Sequence, residues 1–69
     1  MVDARWFRAR LVDAGMTQRD LADVLGLDPA AVSRMLRGKR RMQIQEAVVF
    51  ARATGAKLED VLKHAAIRF

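Results

Sequence analysis

Apolar residues recur along this chain at helical spacing, in segments punctuated by glycine. Near the start, Phe7, Leu11 and Ala14 form one stripe with Trp6 beside it, which predicts a helix over about residues 3–14. Leu21, Ala22 and Leu25 repeat the pattern over about 18–25, and Val32, Met35 and Leu36 repeat it over about 29–37. Ile44, Ala47, Val48 and Ala51 predict a fourth helix over about 43–54. Leu58, Val61, Leu62 and Ala65 predict a fifth over about 58–66. Gly15, Gly26, Gly38 and Gly55 each fall just past a segment that the apolar pattern has already ended, the usual place of a left-handed closing residue. No alternation of strand type competes. The pattern therefore predicts an all-α fold, a compact bundle of five short helices in one domain of 69 residues.

The second and third segments carry the clearest start signals. Thr17 stands three residues before Asp20, the spacing of a capping box in which hydroxyl and carboxylate satisfy amides left unpaired by the first turn. Asp28 followed by Pro29 predicts another start, with aspartate accepting from free amides and proline at a position whose N–H has no intrahelical partner. Each cap is worth roughly 1 kcal/mol. Ala22 lies where two steeply crossing helices come closest, and Gly26 lets the chain turn between them without Cβ strain. Gln43 and Lys57 occupy the cap positions of the last two helices, where serine, threonine or aspartate would serve better.

The stretch TQRDLADVLGLDPAAVSRMLRGKRR, residues 17–41, resembles the helix-turn-helix of the Xre-like family, the phage lambda repressor and Cro class. The resemblance rests on Thr17-Gln18, Ala22, Gly26, Val32, Met35 and Gly38. Residues 51–62 are similar to that family's fourth and fifth helices, so the likeness spans nearly the whole chain. It implies a five-helix lambda-repressor-like bundle, a third helix laid in the DNA major groove, and a transcriptional regulator that binds as a dimer. By the same resemblance, Gln18 would anchor a backbone phosphate beside the positive end of the second helix.

The net charge of +5 becomes informative once it is located. Arg34, Arg37, Lys39, Arg40 and Arg41 place five of the thirteen basic residues within eight positions, with no acid among them. A cation run at a helix end also suits the helix dipole. Directly after a candidate recognition helix, it is better explained as a phosphate clamp, because cations gain most by displacing counterions from a polyanion. Thr17 and Arg19 are further phosphate candidates.

If Val32, Met35 and Leu36 face inward, helical geometry turns Pro29, Ala30, Ser33, Arg34 and Arg37 outward on one strip. Arg34 is the leading candidate for base readout, since its fork can take O6 and N7 of guanine together, against the plainer alternative of a surface salt bridge. Ser33 can bond many base edges and so specifies weakly. Ala30 can touch a thymine methyl or simply favour the helix. Family members often carry long amides in this first turn, and Pro29-Ala30-Ala31 carries none. Readout is then either concentrated in Ser33 and Arg34 or drawn from DNA shape and the following loop.

The remaining composition sets bounds. A chain this small buries only about 60% of its unfolded surface. The absence of cysteine excludes disulfides and thiolate metal sites, and fits a reducing compartment. No apolar run approaches the roughly 20 residues that cross a bilayer, and the start lacks a signal peptide's apolar centre. The expectation is a cytoplasmic, nucleoid-associated protein with no membrane partner and no cofactor. His64 lacks metal-binding companions and is expected on a surface helix, Trp6 is expected in a core or interface, and no catalytic constellation emerges. Ala65, Ala66, Ile67 and Phe69 are candidate homodimer contacts, or else fold back beside Trp6. The expected partner is double-stranded DNA with a roughly palindromic operator. Polymerase is a possible protein partner. The competing readings are an antitoxin-like module whose main task is to hold a toxin, and a nucleoid-type binder that coats DNA without reading it.

Overall fold

The computed structural model describes residues 2–66, in which five helices follow one another without a strand. They are α1 (Ala4–Asp13), α2 (Gln18–Leu25), α3 (Pro29–Leu36), α4 (Ile44–Thr54) and α5 (Leu58–His64). α2 packs on both α3 and α4, α4 carries α5, and α1 lies against α3 and α4. Phe7 and Phe50 meet edge to face at the centre, their ring centroids 5.0 Å apart. Leu11, Leu21, Ala22, Val32, Met35, Leu36, Met42 and Val61 are among the core residues around them.

The start of α2 forms as the sequence predicts. The Asp20 amide donates to Thr17 Oγ1 at 3.0 Å, and the Thr17 amide donates back to Asp20 Oδ2 at 2.9 Å. Gly26 closes the helix at φ +70°, and the Leu27 amide reaches back to the Ala22 carbonyl at 2.9 Å. At α3 the expectation changes. Asp28 occupies the N-cap position but its side chain makes no capping bond, while Pro29 stands at the first helical position. The proline ring fixes φ there without help, and the exposed aspartate keeps its hydration.

α4 is turned from the face expected of it. Phe50, Ala47 and Ala51 point inward, Val48 is half-buried, and Ile44 is 46% exposed. Burying an aromatic ring removes more apolar area from water than burying Ile44 would, so Phe50 decides the rotation. α5 ends two residues earlier than expected. Val61 and Ala65 are buried, Leu62 is half-buried, and Leu58 is 39% exposed. Ala65 therefore belongs to its own chain's core rather than to a dimer surface, and Ala66 is exposed. Ile67 and Phe69 lie outside the described residues.

His64 is half-buried rather than placed on a free surface. Its ring stacks on Trp6 with centroids 4.2 Å apart, and its Nδ1 lies 3.3 Å from Asp3 Oδ2. The Asp3 amide donates to the His64 carbonyl at 3.0 Å, which ties the start of the chain to the end of α5. Trp6 also meets Phe7 edge-on at 5.1 Å, and the Arg10 guanidinium sits 5.8 Å from its ring. The indole is thus engaged within the fold.

Two left-handed positions give opposite predictions. At Gly26 an added Cβ would meet nothing within 4 Å, so Gly26→Ala should destabilise by backbone strain alone, about 1 kcal/mol. Ala66 holds φ +58° after α5, where the other turns use glycine, and Ala66→Gly should stabilise by a comparable amount, about 1 kcal/mol. Urea denaturation of both variants checks the pair; equal shifts of the same sign would count against it.

Candidate nucleic-acid interface

Burial of α3 is one-sided. Val32, Met35 and Leu36 are almost wholly enclosed, and Ala31 lies at the margin of the core. Pro29, Ala30, Arg34 and Arg37 are exposed, and Ser33 is half-buried. The strip expected from periodicity is therefore outward. Arg34 has no carboxylate within ion-pair distance among the described residues, and its carbonyl receives the Lys39 amide at 2.8 Å. Arg37 lies back along its helix, with Nε donating to the Ser33 carbonyl at 3.3 Å. That bond leaves both terminal nitrogens of its guanidinium for other acceptors.

At the start of α2, Thr17 and Arg19 are exposed and Gln18 is half-buried. The dipole of α2 is positive at this end, but the Asp20 carboxylate sits in the same turn and offsets part of that field. An anion here would be held by hydrogen bonds from Gln18, the Thr17 hydroxyl and free amides more than by net charge.

The five-cation run does not act as five equivalent charges. Arg40 Nη1 donates to Glu46 Oε1 at 2.9 Å and Nη2 to Glu46 Oε2 at 3.0 Å, a two-pronged pair. The Arg40 side chain is only 28% exposed and that of Glu46 10%. Nη1 also approaches Met35 Sδ at 3.5 Å and the Arg41 carbonyl at 3.3 Å. Arg40, expected as a free cation, is instead paired, with a carboxylate occupying its fork. Lys39 and Arg41, on either side, are exposed and have no ion pair among the described residues.

Glu46, the partner of Arg40, is not among the residues that the sequence singles out. It stands three residues after Gln43, and its Oε1 accepts the Gln43 amide at 2.9 Å, so it caps α4 where the side chain of Gln43 looked inadequate. The glutamate spaced three residues beyond a cap was the available signal. Burial disfavours its charged form, yet hydrogen bonds from Arg40 and Gln43, with the guanidinium charge, outweigh burial and hold the carboxyl below its usual range. The same bond, against some desolvation, raises the Arg40 pKa.

Two short helices joined at a glycine turn, the second showing a polar strip and ending in cations, make this a helix-turn-helix domain. A family described as "Helix-turn-helix" matches residues 7–61, from the core phenylalanine of α1 into α5. The chain belongs to this family, the Xre and lambda-repressor-like class of DNA-binding transcription regulators. It is a family of DNA-binding domains, not enzymes. No curated protein and no solved structure matches the chain. Among the described residues, no helix is long and apolar enough to cross a membrane.

The Arg40–Glu46 pair has asymmetric consequences for stability. Arg40→Ala strands the more buried carboxylate and should cost roughly 2 kcal/mol, whereas Glu46→Gln leaves an arginine that reaches water and keeps an acceptor for the Gln43 amide. Because the Glu46 pKa is lowered on folding, the pair's contribution is present above the ordinary glutamate value of about 4.3 and is lost as pH falls through the lower folded value. Denaturation from neutral pH into acid should show this loss in the wild type and a smaller one in Glu46→Gln. Identical acid profiles would rule out the linkage.

Proposed function

We propose that the protein reads a specific double-stranded DNA site and regulates transcription there, as a dimer on a roughly palindromic operator. The observation that carries this reading is the outward strip of α3, in which Arg34 is exposed and uncommitted while Arg37, Lys39 and Arg41 follow with no acid between Pro29 and Arg41. Arg34 takes guanine through its fork. Ser33 adds a less selective bond, and Pro29 and Ala30 lie against the groove, with the Ala30 methyl available to thymine. Thr17, Gln18, Arg19, Arg37, Lys39 and Arg41 hold phosphates on either side.

Occupation of a site near a promoter either excludes polymerase or offers it a contact. In a two-fold dimer the recognition helices stand about 34 Å apart, one turn of DNA. With Ala65 committed to the core, the candidate dimer contacts reduce to Ala66 and the residues that follow, Ile67 and Phe69 among them. The informative truncation is therefore one that ends at Ala66 and spares Ala65. The full chain should show a dimer mass at micromolar concentration and the shortened chain a monomer; a monomer in both disposes of this interface.

Titration of operator and random duplex at several salt concentrations tests the DNA reading. Arg34→Ala should reduce discrimination between the two duplexes by about 1–3 kcal/mol. Lys39→Ala should weaken both equally and flatten the dependence of log K on log salt by about 0.9. Equal weakening of both duplexes by Arg34→Ala would remove its base-reading role. Equal affinity of the wild type for every duplex would favour a coating protein, and no binding at all would favour a protein-interaction module.

A further inference from the structure

The segment that follows α3 alternates in burial. Lys39 is exposed, Arg40 half-buried, Arg41 exposed and Met42 buried at 4%. The chain bends at Lys39 and Arg40, so this alternation follows from which side chains are held inward, and Lys39 and Arg41 are left outward between them. Met42 is fixed by the core. Arg40 is fixed by Glu46 with two bonds, and its Nη1 also touches Met35 at the end of α3 and the Arg41 carbonyl. One guanidinium thus links the recognition helix, the loop and the first turn of α4. The Lys39 amide, bonded to the Arg34 carbonyl, secures the other side of the loop.

We propose that Arg40 and Glu46 are a positioning pair for DNA binding: Arg40 touches no phosphate, and its fork on Glu46 aims Lys39 and Arg41 at the backbone. This rests on the DNA reading above. Held by a carboxylate of opposite charge, Arg40 adds no net charge to the loop, and Arg34, Arg37, Lys39 and Arg41 supply its field. The price of the arrangement is one cation withheld from the polyanion.

Glu46→Gln gives opposite signs for positioning and for simple electrostatics. The substitution removes a negative charge and frees Arg40, so charge alone calls for tighter binding and a salt slope steeper by about 0.9. Positioning calls for the reverse: operator affinity about ten-fold weaker, a slope shallower by roughly one phosphate contact, and a smaller loss on adding Lys39→Ala than in the wild type. A merely structural role leaves the slope and the effect of Lys39→Ala unchanged. Affinity that is equal or tighter, a slope that is equal or steeper, or full additivity with Lys39→Ala each overturns the proposal. If thermal melting finds Glu46→Gln unfolded at the assay temperature, Arg40→Lys serves instead. It keeps the charge and loses the fork, and should also weaken binding with a shallower slope, whereas wild-type affinity and slope overturn the proposal. A wild-type protein that binds no duplex removes the DNA reading and this inference with it, an outcome distinct from altered signs among variants that bind.

Discussion

Three side chains set the orientation of α3, and the rest of the surface follows from them. Val32, Met35 and Leu36 are each enclosed to within about a hundredth of their surface, and each gains roughly 1.5–3 kcal/mol from burial. Turning the helix by one residue would bring Ser33 and Arg37 toward the core in place of Val32 and Leu36. That would forfeit apolar contact and confront a buried guanidinium with its desolvation cost. The helix is therefore locked in rotation, and Arg34 faces outward because of where its neighbours must go. Gly26 permits the turn that brings α2 against α3, and the small side chain of Ala22, itself 1% exposed, accommodates the packing of α2.

Charge is divided by the same logic of enclosure. A carboxylate in the first turn of α4 favours that helix's positive end, and Glu46 also accepts the Gln43 amide there. Once so placed and largely buried it requires a cation, and Arg40 supplies a planar fork that matches its two oxygens. A lysine there would give one point of attachment where arginine gives two. The basic run is therefore a row of exposed cations interrupted by one internal tie.

The elements that could be read from sequence are those fixed by local rules. The bounds of α2 and the Thr17–Asp20 box depend on residues three or four apart, and both form as expected. The outward strip of α3 was legible because its apolar residues are regularly spaced and no larger side chain competes with them. α4 was legible as a helix but not in its rotation. Ile44 and Val48 offer a plausible stripe, and only the tertiary meeting of Phe50 with Phe7 shows which side wins. The stacking of His64 was not legible for a similar reason, since its partner Trp6 lies nearly sixty positions away in sequence. At Asp28 the residue type was right for a cap, yet the proline beside it already fixed the start of the helix.

The first turn of α3 bears on how such a domain could recognise DNA. Pro29, Ala30 and Ala31 supply no side-chain donor or acceptor, and Pro29 lacks even the backbone N–H. Their small size has another effect: with no long side chains to accommodate, the helix start can approach the base edges closely. Close approach shortens the reach required of residues one turn further on, where Ser33 and Arg34 stand. Under the proposed reading, a short first turn and a long Arg34 are complementary, and hydrogen-bond information would concentrate on few base pairs. Discrimination beyond those pairs would have to come from the energy of fitting the backbone to the phosphate-binding groups, which depends on DNA shape and stiffness. Under the proposed roles of Arg40 and Glu46, the tie that holds Lys39 and Arg41 would bear on specificity as well as affinity, because only a stiff set of cations can penalise a duplex whose phosphates lie in the wrong places.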